Sequence, residues 1–344
     1  MSDIPARAPL LAVRDLAVVF ESDAGDVPAV DGVSFSLSAG EVFCLVGESG
    51  SGKSATAHAI SRLIPSPPGK IRGGGVFLEG TDLLSLPEKD LRAIRGNRIG
   101  MVFQEPMTSL NPVFRVGDQI SETLMRHRNC SRNQAMEQSI GLLREVGIPA
   151  PEDRVRDFPH QMSGGMRQRV MIAMAIACEP SLIIADEPTT ALDVTIQKQV
   201  LRLLHALTRE KNLGLLLITH DLGVVQDMAD HVGVMYCGKI VEQAHGPALF
   251  ASPSHPYTQG LIRSRPVIDP MGRAGRLPTI PGTVPSPLAR PSGCAFRDRC
   301  PQVMERCAET PPFTDIGGGH LCRCWLVVRP DSHGEGGAVR EWNE

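Results

Sequence analysis

The feature that most constrains this chain is a glycine-rich segment that lies between a short apolar run and a helical run. It fits the pattern G-x-x-x-x-G-K-[ST] without a mismatch. The segment consists of Gly47, Glu48, Ser49, Gly50, Ser51, Gly52, Lys53 and Ser54. Glycines let backbone N–H groups turn inward around phosphate oxygens, and the start of a following helix attracts negative charge. An ordinary glycine–serine turn is the alternative, but it does not explain the predicted strand at residues 42–46 or the predicted helix at residues 54–63.

The last two residues of this segment carry the side chains that act on a bound nucleotide. The Lys53 ammonium reaches the β- and γ-phosphates, and the Ser54 hydroxyl is a ligand for Mg²⁺. The sequence therefore predicts a site for a nucleoside triphosphate and Mg²⁺. Kinases, GTPases and many ATPases share such a loop, so it does not by itself choose among them.

A second motif places two carboxylates directly after a predicted buried strand. The apolar run at residues 182–185 is followed by Asp186 and Glu187. Asp186 suits the surroundings of Mg²⁺, and Glu187 is placed to polarise the water that attacks the γ-phosphate. The alternative is an acidic pair that caps the turn at Pro188. Together with the phosphate loop, the pair predicts nucleotide hydrolysis.

A third motif repeats the chemistry of an anion-binding helix start. Ser163, Gly164 and Gly165 open a predicted helix, whose N-terminal end carries positive charge. One chain cannot easily bring two such helix starts to a single nucleotide. Two chains packed head to tail can, and they would then enclose two nucleotides between them.

Composition excludes several classes of protein. The 344 residues carry a net charge of −3, which argues against a protein that lives on nucleic acid phosphates. The apolar runs, such as residues 170–178, are far shorter than the ~20 residues of a membrane-spanning helix. The N-terminus shows no secretory signal. We therefore expect a cytoplasmic chain whose membrane association comes through partners.

The distribution of proline divides the chain into a large domain and an extension. Of the 28 prolines, 13 fall between Pro247 and Pro312. Before that point, short apolar strands alternate with helices, which favours an α/β domain with a largely parallel sheet. We expect this domain at residues 1–246, with a helical subdomain at about 105–180. The extension then covers 247–330, and a Gly-rich flexible tail covers 331–344.

The extension also holds a group of cysteines. Five of the nine cysteines in the chain lie there, namely Cys294, Cys300, Cys307, Cys322 and Cys324. Because thiols stay reduced inside cells, such a group indicates a metal or redox site before disulfides. Four thiolates can hold a metal cluster or one tetrahedral ion, and unligated thiols are the third possibility. The spacing also leaves open whether Cys322 or Cys324 is the fourth ligand.

Five motifs in order resemble those of the ATP-binding subunits of ABC transporters. The family signature LSGGQ corresponds to residues 162–166, where Met162 and Met166 depart from it but the Ser-Gly-Gly core is present. The resemblance implies a P-loop ABC ATPase fold with a RecA-like, mostly parallel sheet core, an antiparallel β part and a helical signature subdomain. It further implies roles for four residues outside the three motifs described above. These are Gln104 as the Q-loop glutamine that senses Mg²⁺, Asp193 in the D-loop with Ala191, His220 as the switch histidine, and Phe20 as the aromatic that stacks on adenine.

Three further segments resemble importers of dipeptides, oligopeptides and nickel. They are an extended Q-loop at residues 104–112, His255-Pro256-Tyr257-Thr258, and residues 280–285. This resemblance implies an ATP-driven import subunit at the cytoplasmic face of the membrane, most similar to peptide importers. Its implied partners are a second ATPase, identical or related, two transmembrane permeases and, indirectly, an external solute-binding protein. Nickel or another small solute, or a soluble ABC ATPase without a transport role, remain alternatives.

The same family implies an identity for the cysteine group. Peptide importer ATPases of this type carry a 4Fe–4S cluster, which on this chain would lie on Cys294, Cys300, Cys307 and Cys322. Zn²⁺ is the alternative metal. The family also implies ATP and Mg²⁺ as ligands, which agrees with what the phosphate loop predicts.

Overall fold

The computed structural model describes residues 8–190, 192–265 and 279–328. The flexible tail expected at 331–344 lies outside these ranges, as does Ala191. Within them, the strands are β1 Leu11–Ser22, β2 Gly25–Leu37, β3 Val42–Val46, β4 Gly69–Leu78, β5 Thr81–Asp82, β6 Ile99–Val102, β7 Leu182–Asp186, β8 Gly214–Thr219, β9 His231–Tyr236, β10 Lys239–His245, β11 Thr314–Asp315 and β12 Leu321–Cys322. The α-helices are α1 Lys53–Ile60, α2 Glu88–Ile94, α3 Pro106–Ser109, α4 Val116–Arg128, α5 Arg132–Glu145, α6 Pro151–Arg154, α7 Gly164–Ile176, α8 Val194–Glu210, α9 Leu222–Met228, α10 Gly246–Ala251 and α11 Pro256–Arg263.

A mixed sheet with strand order β11-β12-β10-β9-β3-β8-β7-β6 forms the centre of the molecule. Strands β6, β7, β8, β3 and β9 run parallel to their neighbours, and β10, β12 and β11 pair antiparallel at one edge. Every residue of β3, β7 and β8 is buried, which is why these strands read as continuous apolar runs. The predicted α/β class with a largely parallel core is confirmed.

A smaller antiparallel sheet, in the order β2-β1-β4-β5, covers one face of the large sheet. Buried side chains of β1 and β2 share one hydrophobic cluster with Phe43 and Leu45 of β3. Phe20 lies near the end of β1, where it pairs with Val27 of β2 and Gly69 of β4. This sheet therefore closes the core on the side of the phosphate loop.

Helices α3 to α7 occupy the region where the sequence predicts a helical subdomain. Within this region, α4 covers Val116–Arg128 and α5 covers Arg132–Glu145. Ser131 caps α5 in a capping box with Gln134. Helix α7 packs against β6, so the subdomain is anchored to the edge of the parallel sheet.

The chain after residue 246 packs onto the same core. Strand β12 pairs with β10, where Cys322 lies opposite Glu242. Tyr257 of α11 and Phe296 belong to the hydrophobic cluster that includes the central strands. The sequence suggests an extension with little core of its own; the structure shows that the extension uses the core of the ATPase part. No α-helix among the described residues is long and apolar enough to cross a membrane.

Candidate nucleotide site

The phosphate loop connects β3 to α1 and requires glycine at its two ends. Gly47 has φ 154° and Gly52 has φ 104°. A Cβ atom at Gly47 would lie 2.2 Å from the carbonyl oxygen of Met235, and one at Gly52 would lie 2.2 Å from that of Ala29. Any other residue would therefore push the loop away from the backbone that supports it. Helix α1 begins directly after Gly52, at Lys53.

Lys53 is buried and its ammonium is turned onto the loop itself. Its Nζ donates to the carbonyl oxygens of Gly47 at 2.8 Å and Glu48 at 3.0 Å. Burial lowers the pKa of Lys53, while the nearby carboxylates of Glu187 and Asp186 act in the opposite direction. The loop carbonyls thus hold the cation at the place where the motif predicts phosphate oxygens.

Asp186 lies at the carboxyl end of β7, beside the start of α1. The Ser54 hydroxyl donates to Asp186 Oδ1 at 2.9 Å, and His58 Nε2 lies 3.8 Å from Oδ2. Burial raises the pKa of Asp186, and the Ser54 hydrogen bond partly offsets this. A hydroxyl and a carboxylate oxygen side by side match the oxygen ligands that Mg²⁺ prefers, so these two residues fit the ion.

Glu187 is the centre of a small polar network. Its Oε2 accepts hydrogen bonds from Gln104 Nε2 at 3.2 Å and from Thr190 Oγ1 at 3.1 Å, and His220 Nδ1 lies 3.4 Å away. The backbone of Glu187 has φ 44°, a left-handed conformation that is uncommon for a non-glycine residue. Its N–H donates to the carbonyl of Ile218 in β8, which fixes that conformation.

These groups line one open cavity of about 640 Å³ at the carboxyl ends of β3, β7 and β8. That volume is typical of a small-molecule site. The lining residues are Ala29, Ser49, Gly50, Gly52, Lys53, Ser54, Ala55, Gln104, Glu187 and His220. The cavity therefore brings together residues from the phosphate loop, the Q-loop and the two segments that follow β7 and β8.

Comparison with known proteins identifies the family. Residues 30–190 match the ABC transporter family, and residues 241–307 match the C-terminal region of oligopeptide/dipeptide transporters. The chain is 51% identical over 318 residues to the oligopeptide transport ATP-binding protein AppD of Bacillus subtilis, which covers 92% of this chain and 96% of that protein. It belongs to the ABC transporter family, in the group that carries this C-terminal region. It is also 48% identical to OppD of Escherichia coli, over 93% of this chain and 94% of that protein.

The fold agrees with solved ABC cassettes. The dimeric structure of a bacterial ABC transporter cassette superposes with a TM-score of 0.61 at 26% identity, covering 68% of this chain and 98% of that one. A dimeric cassette in a post-hydrolysis state, bound to ADP and phosphate, gives the same TM-score and coverage. The expected P-loop ABC ATPase fold is thereby confirmed.

The ABC signature residues lie outside the nucleotide cavity of their own chain. Ser163 caps α7, where its hydroxyl accepts from the N–H of Met166 at 3.3 Å. Gly164 and Gly165 form the first turn of this helix. In the D-loop, Asp193 caps α8 and accepts from two backbone N–H groups. Of the described residues that line the cavity, none comes from these two segments.

Phe20 is placed in the small sheet and not among the side chains that line the cavity. It is partly buried and packs against the hydrophobic cluster of that sheet. A Cβ at Gly69 would lie 3.0 Å from its ring. The role in adenine stacking that the family resemblance implies thus stays a prediction.

The sequence analysis missed several residues that contact the site. Thr190 holds Glu187, and His58 lies beside Asp186. Tyr257 and Arg299 of the extension both contact Glu48 in the phosphate loop. The family resemblance marks the His-Pro-Tyr motif, which contains Tyr257, but it implies no role for that residue. Arg299 had no signal in the sequence.

Two cysteines of the extension are joined through the backbone, because the N–H of Cys294 donates to the carbonyl of Cys307 at 3.0 Å. The pKa of Cys324 is raised to about 11, first by burial and then by the thiols of Cys294, Cys300 and Cys307. Burial also raises the pKa of Cys322, which has Glu242 and Cys324 as its charged neighbours. Among the described residues, no group of three or more His, Cys, Asp or Glu side chains is arranged to hold a metal ion.

Proposed function

We propose that this chain is the ATP-hydrolysing subunit of a membrane importer for oligopeptides or dipeptides. The observation that carries the proposal is the convergence of Lys53, Glu187, Gln104 and His220 on one cavity, in a chain about half identical to oligopeptide transport ATP-binding proteins. The names of these relatives favour peptides over nickel. The match of residues 241–307 to the oligopeptide/dipeptide transporter region supports the same choice.

Different residues of the cavity bind the phosphates, accept the proton of the attacking water and hold Mg²⁺. When ATP enters, its phosphates replace the loop carbonyls as partners of the Lys53 ammonium. Glu187 is held by Gln104 and Thr190 in a position from which a carboxylate can accept a proton from the attacking water. His220, which is exposed, contacts the same carboxylate and can steady the γ-phosphate. Ser54 and Gln104, with Asp186 beside them, would hold Mg²⁺, which neutralises phosphate charge when bound.

A second ATPase subunit completes the site. The Ser163 helix start is exposed and lies outside the cavity of its own chain, so it is available to a nucleotide held by a facing subunit. The solved cassettes that share this fold are dimers. We infer a head-to-tail dimer with an identical or related ATPase, in which ATP binding closes the dimer and hydrolysis reopens it.

The permeases are expected to dock beside the Q-loop. Directly after Gln104, the apolar side chains of Met107, Val113 and Phe114 are 64%, 71% and 54% exposed. Apolar groups exposed together indicate a surface that a partner covers. We infer two transmembrane permeases on this surface, at the cytoplasmic face of the membrane, with an external solute-binding protein that delivers the peptide.

The extension is proposed to hold a 4Fe–4S cluster on Cys294, Cys300, Cys307 and Cys324, with Zn²⁺ as the alternative metal. The mutual influence of these four thiols supports the set. So does the backbone, since the N–H of Cys294 donates to the carbonyl of Cys307 at 3.0 Å. Such a cluster would link three turns of the extension and thereby stabilise its fold.

The substitution Glu187→Gln tests the proposed hydrolysis. An amide cannot accept the proton of the attacking water, so turnover should fall at least about 100-fold while ATP binding persists. Phosphate release measures the first effect, and a dimer stable to gel filtration with ATP measures the second. Glu179→Gln is the control, because Glu179 is exposed, pairs with Arg128 and does not line the cavity. Parental turnover in Glu187→Gln would contradict the assignment.

A transport assay tests the substrate. Membranes that contain the ATPase, its permeases and the binding protein should take up labelled di- or oligopeptides in an ATP-dependent manner. Uptake of Ni²⁺ without peptide uptake would overturn the proposed substrate but not the ATPase.

A further inference from the structure

Glu48 places a carboxylate inside the phosphate loop, and the extension supplies its partner. Arg299, which lies 251 residues further along the chain, forms a bidentate ion pair with it. Its Nη1 lies 2.7 Å from Oε2, and its Nη2 lies 3.0 Å from Oε1. The Arg299 side chain is only 5% exposed. This geometry is the strong form of the arginine–carboxylate interaction.

Arg299 is held in place by the rest of the extension and the core. Its Nε donates to the carbonyl of Pro281 at 2.9 Å. Its guanidinium lies 5.9 Å from the ring centroids of both Tyr236 and Phe296. These contacts orient the Arg299 side chain toward Glu48. Arg297 lies in the same 3₁₀ turn but does not have these contacts.

The backbone of Glu48 has a second partner in the extension. Its N–H donates to the Tyr257 hydroxyl at 2.8 Å. Tyr257 is fully buried and its ring packs against those of Tyr236 and Phe296. His255 caps helix α11 by accepting from the N–H of Tyr257, which fixes the backbone position of Tyr257. The His-Pro-Tyr motif therefore ends in a contact with the phosphate loop.

These contacts bear on nucleotide affinity through charge. A carboxylate in the loop repels the negatively charged phosphates of ATP, and the effect is strong where water is excluded. A bidentate arginine offsets that charge, and Glu48 is not among the described residues that line the cavity. The carbonyl of Glu48 meanwhile accepts from Lys53, so a displaced Glu48 would also disturb the catalytic lysine.

We propose that Arg299 and Tyr257 are positioning residues of the ATP site, through which the C-terminal extension sets the affinity of the phosphate loop for nucleotide. The inference rests on the proposed ATP binding. It assigns the extension a task at the nucleotide, in addition to any role of its cysteines.

The test is a double-mutant cycle between Arg299 and Glu48, read by the Kd of a fluorescent ATP analogue. Arg299→Gln leaves the carboxylate unpaired and should weaken binding about tenfold. The loss should shrink at high salt, which screens the repulsion. Adding Glu48→Gln should restore the affinity, because the repelling charge is then gone. Arg299→Lys should keep most of the affinity of the parent. In Arg299→Gln, the KM for ATP should rise by a larger factor than kcat falls.

Arg297→Gln is the matched control, since the hydrogen bonds given for the Arg297 side chain go to Ser292 and Asp298 and not to the phosphate loop. It should bind the analogue like the parent. If Arg299→Gln also binds like the parent, or if Glu48→Gln does not restore the loss, the inference is overturned. Should Arg299→Gln fail to fold, Glu48→Gln alone decides, because weaker binding in that variant contradicts charge compensation. A parent chain that binds no ATP would instead defeat the proposed function.

Discussion

At the scale of single residues, Lys53 places a buried ammonium inside the phosphate loop. Its ammonium donates to two carbonyls of its own loop, so the buried charge has hydrogen-bond partners. In the proposed function, the same charge contacts the β- and γ-phosphates of ATP. Removing it therefore affects binding more than folding.

The substitution Lys53→Ala should weaken ATP binding by at least about tenfold, because it removes a charge-assisted hydrogen bond to phosphate. Equilibrium binding of a fluorescent ATP analogue measures the change. Lys70→Ala is the control, since Lys70 is exposed and pairs with Glu21 in the small sheet. An unchanged Kd in Lys53→Ala would remove Lys53 from the site.

At the scale of elements, helix α11 is attached to the sheet by groups that respond to pH. His255 Nδ1 accepts from the N–H of Tyr257 at 3.0 Å, which only the neutral ring can do. Burial lowers the pKa of His255 to about 4. Glu242 is also fully buried. Burial raises its pKa, but the contact with His320 and hydrogen bonds from the backbone N–H groups of Ser254 and His255 lower it below its usual value.

Both shifts make the protein less stable in acid. Between pH 6.5 and about 4, the unfolded chain binds a proton at His255 that the folded chain does not. The free energy of unfolding should therefore fall by about 2 kcal/mol from pH 7 to pH 5, with Glu242 adding to the loss at lower pH. Urea unfolding followed by the fluorescence of Trp325 measures this change. His255→Asn keeps a side chain that can cap the helix but does not titrate, so its dependence on pH should be shallower. An equally steep dependence would contradict the assignment to His255.

At the scale of the whole molecule, the proposed cluster would link the separate turns of the extension. Cys322 and Cys324 form a matched pair for testing the proposed cluster, because both are buried and only two residues apart. In anaerobically purified protein, we expect iron near four per chain. Cys324→Ser should lose the iron and the brown colour and become sensitive to protease after about residue 250. Cys322→Ser should keep the iron, the colour and the resistance to protease. Equal iron in both variants, or protein without iron, would overturn the proposed ligand set.

The sequence by itself determined most of the catalytic half of the site. Asp186 is the last residue of β7, and Glu187 directly follows it. His220 directly follows β8, and Lys53 follows β3 across the phosphate loop. Because the carboxyl ends of parallel strands meet at one edge of the sheet, local patterns were enough to predict that these residues converge. The limits of α1, predicted at residues 54–63 and observed at Lys53–Ile60, were also predictable to within three residues, since helix starts and stops are local signals.

The tertiary structure alone decided how the extension meets this site. The pairing of Arg299 with Glu48 joins residues 251 positions apart, and no spacing in the chain encodes such a contact. The pairing of β12 with β10, which places Cys322 opposite Glu242, is another contact that no spacing in the chain encodes. Patterns report which face of an element is apolar. Which distant side chain packs against that face follows only when all the elements share one core.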